Sequence, residues 1–142
     1  IGGQRGWECE NVVDLLERAE HVREHVVELP RCSDAQLATY LHHAQALLFP
    51  SFAEGYGLPL VEALSVGTPV IASDLPVFKE IAGDIPDYVD PLDGLGWLSL
   101  VEDYAAAGSS MRKAQLKRMQ TFVPTSWQDH FEQVDAFLEG LP

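Results

Sequence analysis

Two glutamates, Glu54 and Glu62, lie in the middle of the chain with seven residues between them. A carboxylate has two oxygens, which can accept hydrogen bonds from two neighbouring hydroxyl groups at once. Each glutamate could therefore hold a vicinal diol, such as the one on a ribose or a hexose. Taken alone, this spacing favours an ordinary loop acid followed by a solvated helix acid.

The segments around the two acids predict a βαβ unit. Ala46 to Phe49 is a short apolar run, typical of a buried parallel strand, and Pro50 ends it because proline cannot donate to a ladder. Pro59 suits the first position of a helix, and Gly67 is suited to end that helix. Val70 to Ala72 is predicted to be the second buried strand. The intervening loop then lies at the carboxyl end of the first strand, where open α/β sheets bind ligands.

The loop from 51 to 57 contains Gly55 and Gly57, which let the backbone approach a ligand closely. The helix that follows offers free N–H groups and a partial positive charge at its start, which suit a phosphate. Because carboxylates repel phosphate, Glu54 and Glu62 are expected to face the neutral hydroxyls of the same ligand. A diphosphate with a diol at each end describes a nucleotide diphosphate sugar.

The segment from Pro50 to Ser73, PSFAEGYGLPLVEALSVGTPVIAS, resembles the donor-site signature of the retaining glycosyltransferases of family 4, which have the GT-B fold. That signature is P-S-x-x-E-G-(F/Y)-G-x-P-x-x-E-A-x-x-x-G-x-P-V-(I/V)-A-S, and the segment fits it throughout. The following SDLPVFKEIAGDIPDYVDPLD is similar to the family's usual continuation. Within the family, Gly3 to Trp7 makes the chain most similar to mannosyltransferases of bacterial surface-polysaccharide synthesis.

The resemblance implies a role for each residue of the motif. Glu54 would be the catalytic residue, holding hydroxyls of the donor sugar and stabilising positive charge that develops on its ring. Glu62 would bind the ribose of the nucleotide. Four residues would contact the donor sugar and diphosphate: Gly55, Tyr56, Gly57 and Leu58. The donor pocket could also include Arg5, Pro50, Ser51, Ser73 and Glu80.

Two members of that last group also have simpler interpretations. Arg5 lies in a glycine-containing stretch that is also typical of a strand-to-helix turn without the spacing of a dinucleotide fingerprint. Glu80 is predicted to head a short helix through Ala82, where an acid is favourable whether or not it binds a ligand.

The resemblance also implies a mechanism and a set of substrates. Retaining transferases of this family are thought to use front-side attack, in which a donor phosphate oxygen takes the acceptor proton. No nucleophile, general base, metal or cofactor is therefore assigned. GDP-mannose is the favoured donor, with a UDP-sugar as the alternative. The acceptor is expected to be a saccharide or a lipid-linked saccharide, bound by an N-terminal domain that this chain lacks.

The fold implied is a Rossmann-like α/β domain, a parallel sheet with helices on both faces that forms the C-terminal half of a GT-B enzyme. Ile1-Gly2-Gly3 resembles the last residue of a strand followed by its loop. The first βα unit, which in the family normally supplies an Arg and a Lys for the diphosphate, is therefore expected to be missing. Residues 1–142 are predicted to be one donor-binding domain of a two-domain enzyme, inactive in isolation. Residues 125–139 would form a helix that crosses to the acceptor domain or, without it, exposes an apolar face that could self-associate.

Composition limits the other function classes. A chain of 142 residues can bury a core, and 46% hydrophobic residues are typical of a folded domain. A net charge of −13 argues against binding nucleic acid or an anionic membrane. Cys9 and Cys32 have no metal or redox spacing, and with no predicted leader or membrane span they favour a cytoplasmic setting. The intact enzyme could be peripheral at the inner face of a membrane.

Before the central unit, the pattern predicts a helix from Asn11 to His21 and a strand from Val26 to Leu29. A capping box at Ser33 to Gln36 predicts the start of a second helix, which runs through His43. The inner face of that second helix would carry Leu37, Tyr40, Leu41 and Ala44.

After the central unit, the pattern predicts a strand at Tyr88 and Val89 and an Asp90-Pro91-Leu92-Asp93 turn that caps a helix. The apolar face of this helix would carry Trp97, Leu98, Val101 and Tyr104. The final helix, capped by Ser126, would carry Trp127, Phe131, Val134 and Leu138.

Two other groups of residues could do chemistry and are given structural interpretations. The five histidines have no acid or thiol that completes a metal set, so surface or packing roles are favoured. The basic cluster between Ser110 and Phe122, with Arg112, Lys113, Lys117 and Arg118, is interpreted as a solvated helix face rather than a membrane or partner patch.

Two alternative functions are considered. The chain could be a nucleotide-binding or regulatory module with no activity of its own. It could also be an unrelated flavodoxin-like domain, but that class leaves the spacing of Glu54 and Glu62 and the Gly67-Thr68-Pro69-Val70 turn unexplained.

Overall fold

The structure, a computed structural model, describes residues 1–2, 9–29 and 31–141. Its helices are α1 (Glu10–Arg18), α2 (Glu20–Arg23), α3 (Asp34–His43), α4 (Leu58–Ser65), α5 (Pro76–Ala82), α6 (Gly94–Ala105), α7 (Ser110–Arg118) and α8 (Trp127–Glu139). The strands of its sheet are β1 (Leu47–Phe49), β2 (Val70–Ser73) and β3 (Asp87–Val89), and a 3-10 turn at Met119–Thr121 follows α7. Arg5 and the rest of the Gly3 to Trp7 segment lie outside the described residues.

The chain divides into two compact units, Ile1–Thr39 and Tyr40–Pro142. In the first, the predicted helix from Asn11 to His21 is interrupted at Ala19, whose backbone is extended, and α2 follows. The predicted strand from Val26 to Leu29 was wrong in extent, because the pairing seen among the described residues here is an isolated parallel bridge between Gly2 and Leu29. The capping box at Ser33 is confirmed, since the Ser33 and Gln36 side chains each accept from the other's backbone N–H.

The second unit contains a parallel three-stranded sheet in the order β1-β2-β3. The central βαβ prediction is confirmed, with Leu47 opposite Val70 and Phe49 opposite Ala72. The strand β2 is buried along its whole length. β1 differs from the prediction of a buried strand. It is an edge strand of the sheet, and its Leu48 is 47% exposed. The α/β class with a parallel sheet flanked by helices is confirmed.

The helix α4 covers the sheet with Leu60, Ala63 and Leu64, which are all buried. It begins at Leu58, so that Pro59 is its second residue rather than its first, and its missing N–H still costs nothing there. Gly67 adopts a left-handed conformation with φ of 85°, and the Gly67 N–H donates to Leu64 O. The helix end predicted at Gly67 is therefore confirmed.

A second apolar cluster joins the sheet to α6 through Ile71, Val89 and Tyr104, with Trp97 and Leu100 packed against it. The prediction of Leu98 on this face was wrong, because Leu98 is exposed and Leu100 packs instead. On α3, Leu41 is buried as predicted, whereas Tyr40 is exposed. Asp93 caps α6 by accepting from Gly96 N–H, which confirms the predicted role of the Asp90 to Asp93 turn.

The helix α7 holds the sheet with polar side chains. The Gln115 side chain is fully buried and bonds both backbone groups of Val70, accepting from its N–H at 2.6 Å and donating to its carbonyl at 2.7 Å. Arg118 forms an ion pair with Asp87 at 2.5 Å and also donates to Ile85 O. Arg112 donates to Gln45 O at 3.0 Å. The interpretation of the basic cluster as a solvated face was therefore wrong for both arginines, although Lys113 and Lys117 are exposed.

The helix α8 is confirmed, but none of its residues is buried. Its predicted apolar positions, Trp127, Phe131, Val134 and Leu138, are all exposed. Within the part of the chain that the structure describes, no helix has both the length and the apolar character needed to cross a membrane.

Candidate functional site

The candidate site lies at the carboxyl edge of the three-stranded sheet. Because β1, β2 and β3 are parallel, the segments that follow Phe49, Ser73 and Val89 all leave the sheet at this edge. Residues 50–57 connect β1 to α4 and are called the β1–α4 loop below. Crevices at such edges are where open α/β sheets bind ligands.

The β1–α4 loop ends at Gly57, which has a left-handed conformation with φ of 89° and precedes the first turn of α4. A Cβ atom at this position would lie 2.6 Å from Cε1 of Phe78, which is too close for any side chain. The Gly57 carbonyl accepts from the N–H groups of Leu60 and Val61. Glycine is thus required here both by the backbone conformation and by the neighbouring ring.

The start of α4 has no side-chain cap, and its neighbouring residues are exposed although Gly57 itself is buried. Gly57 has no side chain that could cap the helix, so no side-chain hydrogen bond is made there. The helix dipole therefore presents a partial positive charge to the carboxyl edge of the sheet. Tyr56 and Leu58, on either side of Gly57, are both exposed, and so is Gly55.

Glu54 lies in the β1–α4 loop with an exposed side chain, and its Oε1 accepts a hydrogen bond from Ser51 Oγ at 3.1 Å. Two predicted site residues, Ser51 and Glu54, are therefore in direct contact. This hydrogen bond engages one oxygen of an otherwise exposed carboxylate. Pro50, which precedes Ser51, is exposed and begins the loop.

Glu62 is exposed on α4, on the face opposite the buried Leu60, Ala63 and Leu64. It lies one helical turn after the open N terminus, since Leu58 is the first residue of the helix. The structure therefore places the two acids on successive elements, with the helix start between them in the chain.

Ser73 is the last residue of β2 and is fully buried. Its Oγ is the one buried side-chain polar atom without a hydrogen-bond partner among the described residues. A buried hydroxyl usually finds a partner, so its position at the carboxyl edge is compatible with a ligand contact.

Glu80 does not have the position predicted for it. The helix α5 begins at Pro76, four residues before Glu80, so Glu80 lies in its second turn and cannot act as an acid at the helix start. The side chain is exposed. Its predicted contact with the donor stays a prediction.

Most other acids at this edge already have partners. Asp74 forms an ion pair with Lys79 at 2.5 Å, and the Lys79 ammonium lies 5.6 Å from the centre of the Tyr88 ring. Asp90 accepts from Leu92 N–H, and Asp93 caps α6. Burial raises the pKa of Tyr88 well above its usual range, and the nearby Asp84 and Asp74 carboxylates raise it further. Its hydroxyl therefore stays protonated and donates to the carbonyls of Gly83 and Phe78.

Among the residues that the structure describes, no group of three or more His, Cys, Asp and Glu side chains could hold a metal ion. Phe78, whose ring lies against Gly57 and Phe49, helps to build the site and was not predicted from the sequence. Ser51 was predicted as a pocket residue, but its contact with Glu54 was not. The Ser51 contact could have been expected from its i, i+3 spacing to Glu54, whereas the Phe78 contact joins segments that no local pattern connects.

The family model for glycosyl transferases group 1 matches residues 1–86 of this chain, which include β1, the β1–α4 loop, α4 and β2. The chain belongs to this family of glycosyl transferases.

Individual relatives include mannosyltransferases. The chain is 40% identical over 82 residues to a serotype-specific mannosyltransferase, WbdA, of Escherichia coli, which covers 58% of this chain and 10% of the relative. It is 38% identical over 92 residues to the O-antigen chain mannosyltransferase RfbU of Salmonella typhimurium, covering 65% of this chain and 25% of that protein. It is also 32% identical over 119 residues to a D-inositol 3-phosphate glycosyltransferase of Mycobacterium marinum, covering 76% and 24%. The chain thus spans between a tenth and a quarter of the length of these relatives.

Proposed function

We propose that this chain is the donor-binding part of a retaining glycosyltransferase. The enzyme would transfer a hexosyl group, with mannosyl favoured, from a nucleotide diphosphate sugar to a saccharide or a lipid-linked saccharide. The observation that carries the proposal is the open start of α4 behind the left-handed Gly57, with Glu54 before it and Glu62 after it. The relatives described above, which include a mannosyltransferase of O-antigen chains, support the choice of sugar.

In this proposal the backbone of Gly55 to Leu58 binds the diphosphate. The partial positive charge at the start of α4 offsets the negative charge that develops on the leaving group as the glycosidic bond breaks. Positions 55 and 57 are glycine and so add no side chain of their own beside this backbone.

Glu54 would accept hydrogen bonds from hydroxyls of the donor sugar and stabilise positive charge on its ring, with Ser51 holding one carboxylate oxygen. Glu62 would accept from the ribose diol. Neither is proposed as a nucleophile or a general base. The acceptor would bind to another domain of the intact enzyme.

Calorimetric titration of the chain with GDP, UDP and ADP tests the proposal. We expect one nucleotide, GDP on the mannose assignment, to bind, and Glu62→Ala to weaken that binding about tenfold or more, because a charge-assisted hydrogen-bond pair to the ribose is lost. Glu102→Ala, which removes an exposed acid from α6, is the matched control and should bind as the wild-type chain does.

Failure of every nucleotide to bind the wild-type chain would contradict donor binding by this chain alone. The same titration on a longer protein containing it would then decide whether the motif binds nucleotide at all. Equal binding of UDP, GDP and ADP would contradict selection of a particular base.

A further inference from the structure

We propose that Phe78 is a positioning residue for the β1–α4 loop, and that its ring sets the place of the helix start and of Glu54. The inference rests on the proposed function for its consequence in catalysis, although the contact itself is a feature of the fold. Phe78 lies on α5, outside the signature that defines the donor site, and is fully buried.

The first contact is with the end of the loop. The ring of Phe78 lies so close to Gly57 that an added Cβ would be 2.6 Å from Cε1 and 3.1 Å from Cδ1. Only a hydrogen on the α-carbon fits in this space. The left-handed turn that opens α4 is therefore supported directly by the aromatic ring.

The second contact is with the start of the loop. Phe49, the last residue of β1, lies with its ring centre 5.1 Å from that of Phe78, at an interplanar angle of 30°. The residues that immediately precede and end the β1–α4 loop thus both pack on one side chain. Residues 50–56, including Ser51 and Glu54, lie between these two fixed points.

Phe78 is itself held in place by the next elements of the sheet. Its N–H donates to Leu75 O at 3.1 Å, and its carbonyl accepts from the Tyr88 hydroxyl at 3.1 Å. Tyr88 belongs to β3, and the raised pKa described above keeps its hydroxyl protonated as the donor. Contacts through Phe78 on α5 thus connect the β1–α4 loop to β3.

Packed interiors transmit displacement rather than absorb it, because side chains lie in contact at close to crystal density. A shift of about 1 Å in a binding group can cost two orders of magnitude in rate. A smaller or flexible side chain at position 78 should therefore leave the fold intact and loosen the loop, which affects donor binding without removing any group that touches the donor.

Amide hydrogen exchange of the unliganded chain, measured by NMR at Leu60 and Val61, tests the contact without any ligand. Both N–H groups donate to the Gly57 carbonyl and so report the turn. We expect Phe78→Leu to speed their exchange about tenfold through local opening. The matched control is Ile71→Val, a change at a fully buried residue of the cluster with Val89 and Tyr104, which should alter these two amides much less.

Equal effects of the two substitutions on these amides would overturn the inference, because they would show a general loss of stability rather than a local support. If Phe78→Leu does not fold, Phe78→Met is measured in the same way, since an unbranched side chain of similar volume fills the site without a flat ring.

Nucleotide titration supplies the second readout. If the wild-type chain binds a nucleotide, Phe78→Leu should weaken it about fivefold or more, whereas Ile71→Val should leave the affinity unchanged. Wild-type affinity in the Phe78 variant would overturn the inference. Absence of binding to the wild-type chain would count against the proposed function alone, because the exchange measurement still decides whether Phe78 supports the loop.

Discussion

Two regions of the molecule use polar side chains in opposite ways. One is the β1–α4 loop with α4, and the other is the contact between α7 and the sheet. In the loop, Glu54 is exposed with one hydrogen bond from Ser51, and Glu62 is exposed on α4. Under α7, Gln115 and Arg118 are bonded to backbone groups and to Asp87, in buried or partly buried positions.

The difference indicates how polar groups are divided between folding and function. A buried polar group must be paired within the protein, and once paired it cannot bind a ligand without leaving that partner. An exposed acid contributes little to stability and keeps its hydrogen-bonding capacity. We therefore expect substitutions of Glu54 and Glu62 to change activity at constant stability, and substitutions of Gln115 and Arg118 on α7 to change stability first.

The largest effect is expected for Glu54→Ala in a full-length enzyme that contains this chain. Loss of electrostatic stabilisation of the sugar ring should lower kcat about 10³-fold, the upper range for removal of one such group. The thermal midpoint of unfolding should stay unchanged, because the side chain is exposed. A small loss of kcat would contradict the catalytic role, and a large loss of stability would contradict the division between the two regions.

The next largest effect is on the free energy of unfolding, for Gln115→Leu. This substitution leaves the N–H and carbonyl of Val70 without their partner at the start of β2, and each buried unpaired group costs roughly 1–3 kcal/mol. We expect a loss of about 3 kcal/mol, measured by urea unfolding. Gln120→Leu, at an exposed position in the 3-10 turn, is the control and should change stability by less than about 0.5 kcal/mol.

Arg118→Met should have a smaller effect of the same kind. It removes the ion pair with Asp87 and the bond to Ile85 O, but the Arg118 side chain is still 35% exposed. Water can therefore partly replace the lost partner, and we expect a loss of about 2 kcal/mol rather than the larger value for a fully buried pair.

The matched control for Arg118 is Lys117→Met on the same helix, an exposed residue that should be close to neutral. Equal effects of the two substitutions would restore the interpretation of the basic cluster as a solvated face.

Tyr104, whose hydroxyl also donates to Asp87, has its pKa raised well above the usual range by burial and by that hydrogen bond. The Tyr104 hydroxyl therefore stays protonated at neutral pH and continues to donate its hydrogen bond to Asp87.

The same comparison explains which features could be predicted from the sequence. The central unit was predictable because strand, proline, glycine and helix signals follow one another within 28 residues, from Ala46 to Ser73. The family signature falls on the same segment, which makes Glu54 and Glu62 recognisable as candidates. What they contact in a ligand stays a prediction.

The bonds from α7 to the sheet were not predictable in this way. Gln115 bonds Val70 across 45 residues, and Arg118 bonds Asp87 across 31. No local periodicity marks an arginine as the one that faces inward, and Lys117, beside Arg118, has an equal preference for a helix. The prediction of a strand from Val26 to Leu29 was wrong for a related reason. A four-residue segment rich in apolar residues forms a strand only when it pairs with another strand of the fold.

The smallest effect is expected at α8, where a capping box stands on an otherwise exposed helix. Ser126 Oγ accepts from Asp129 N–H, while the Asp129 carboxylate accepts from the Ser126 hydroxyl and backbone N–H. These hydrogen bonds, that of the Ser126 side chain foremost, hold the pKa of Asp129 below its usual range. Because the folded pKa lies below the unfolded one, the contribution is present above the unfolded pKa and is lost as the pH falls through the folded value.

Far-ultraviolet circular dichroism can measure this contribution as helix content. Ser126→Ala should lower helicity slightly at neutral pH and reduce the further loss on acidification, since the cap that titrates is already broken. Ser110→Ala, at an exposed first position of α7, is the control and should keep the wild-type pH dependence. An identical acid transition in the Ser126 variant and the wild-type chain would show that the hydrogen bonds between Ser126 and Asp129 do not stabilise the start of α8.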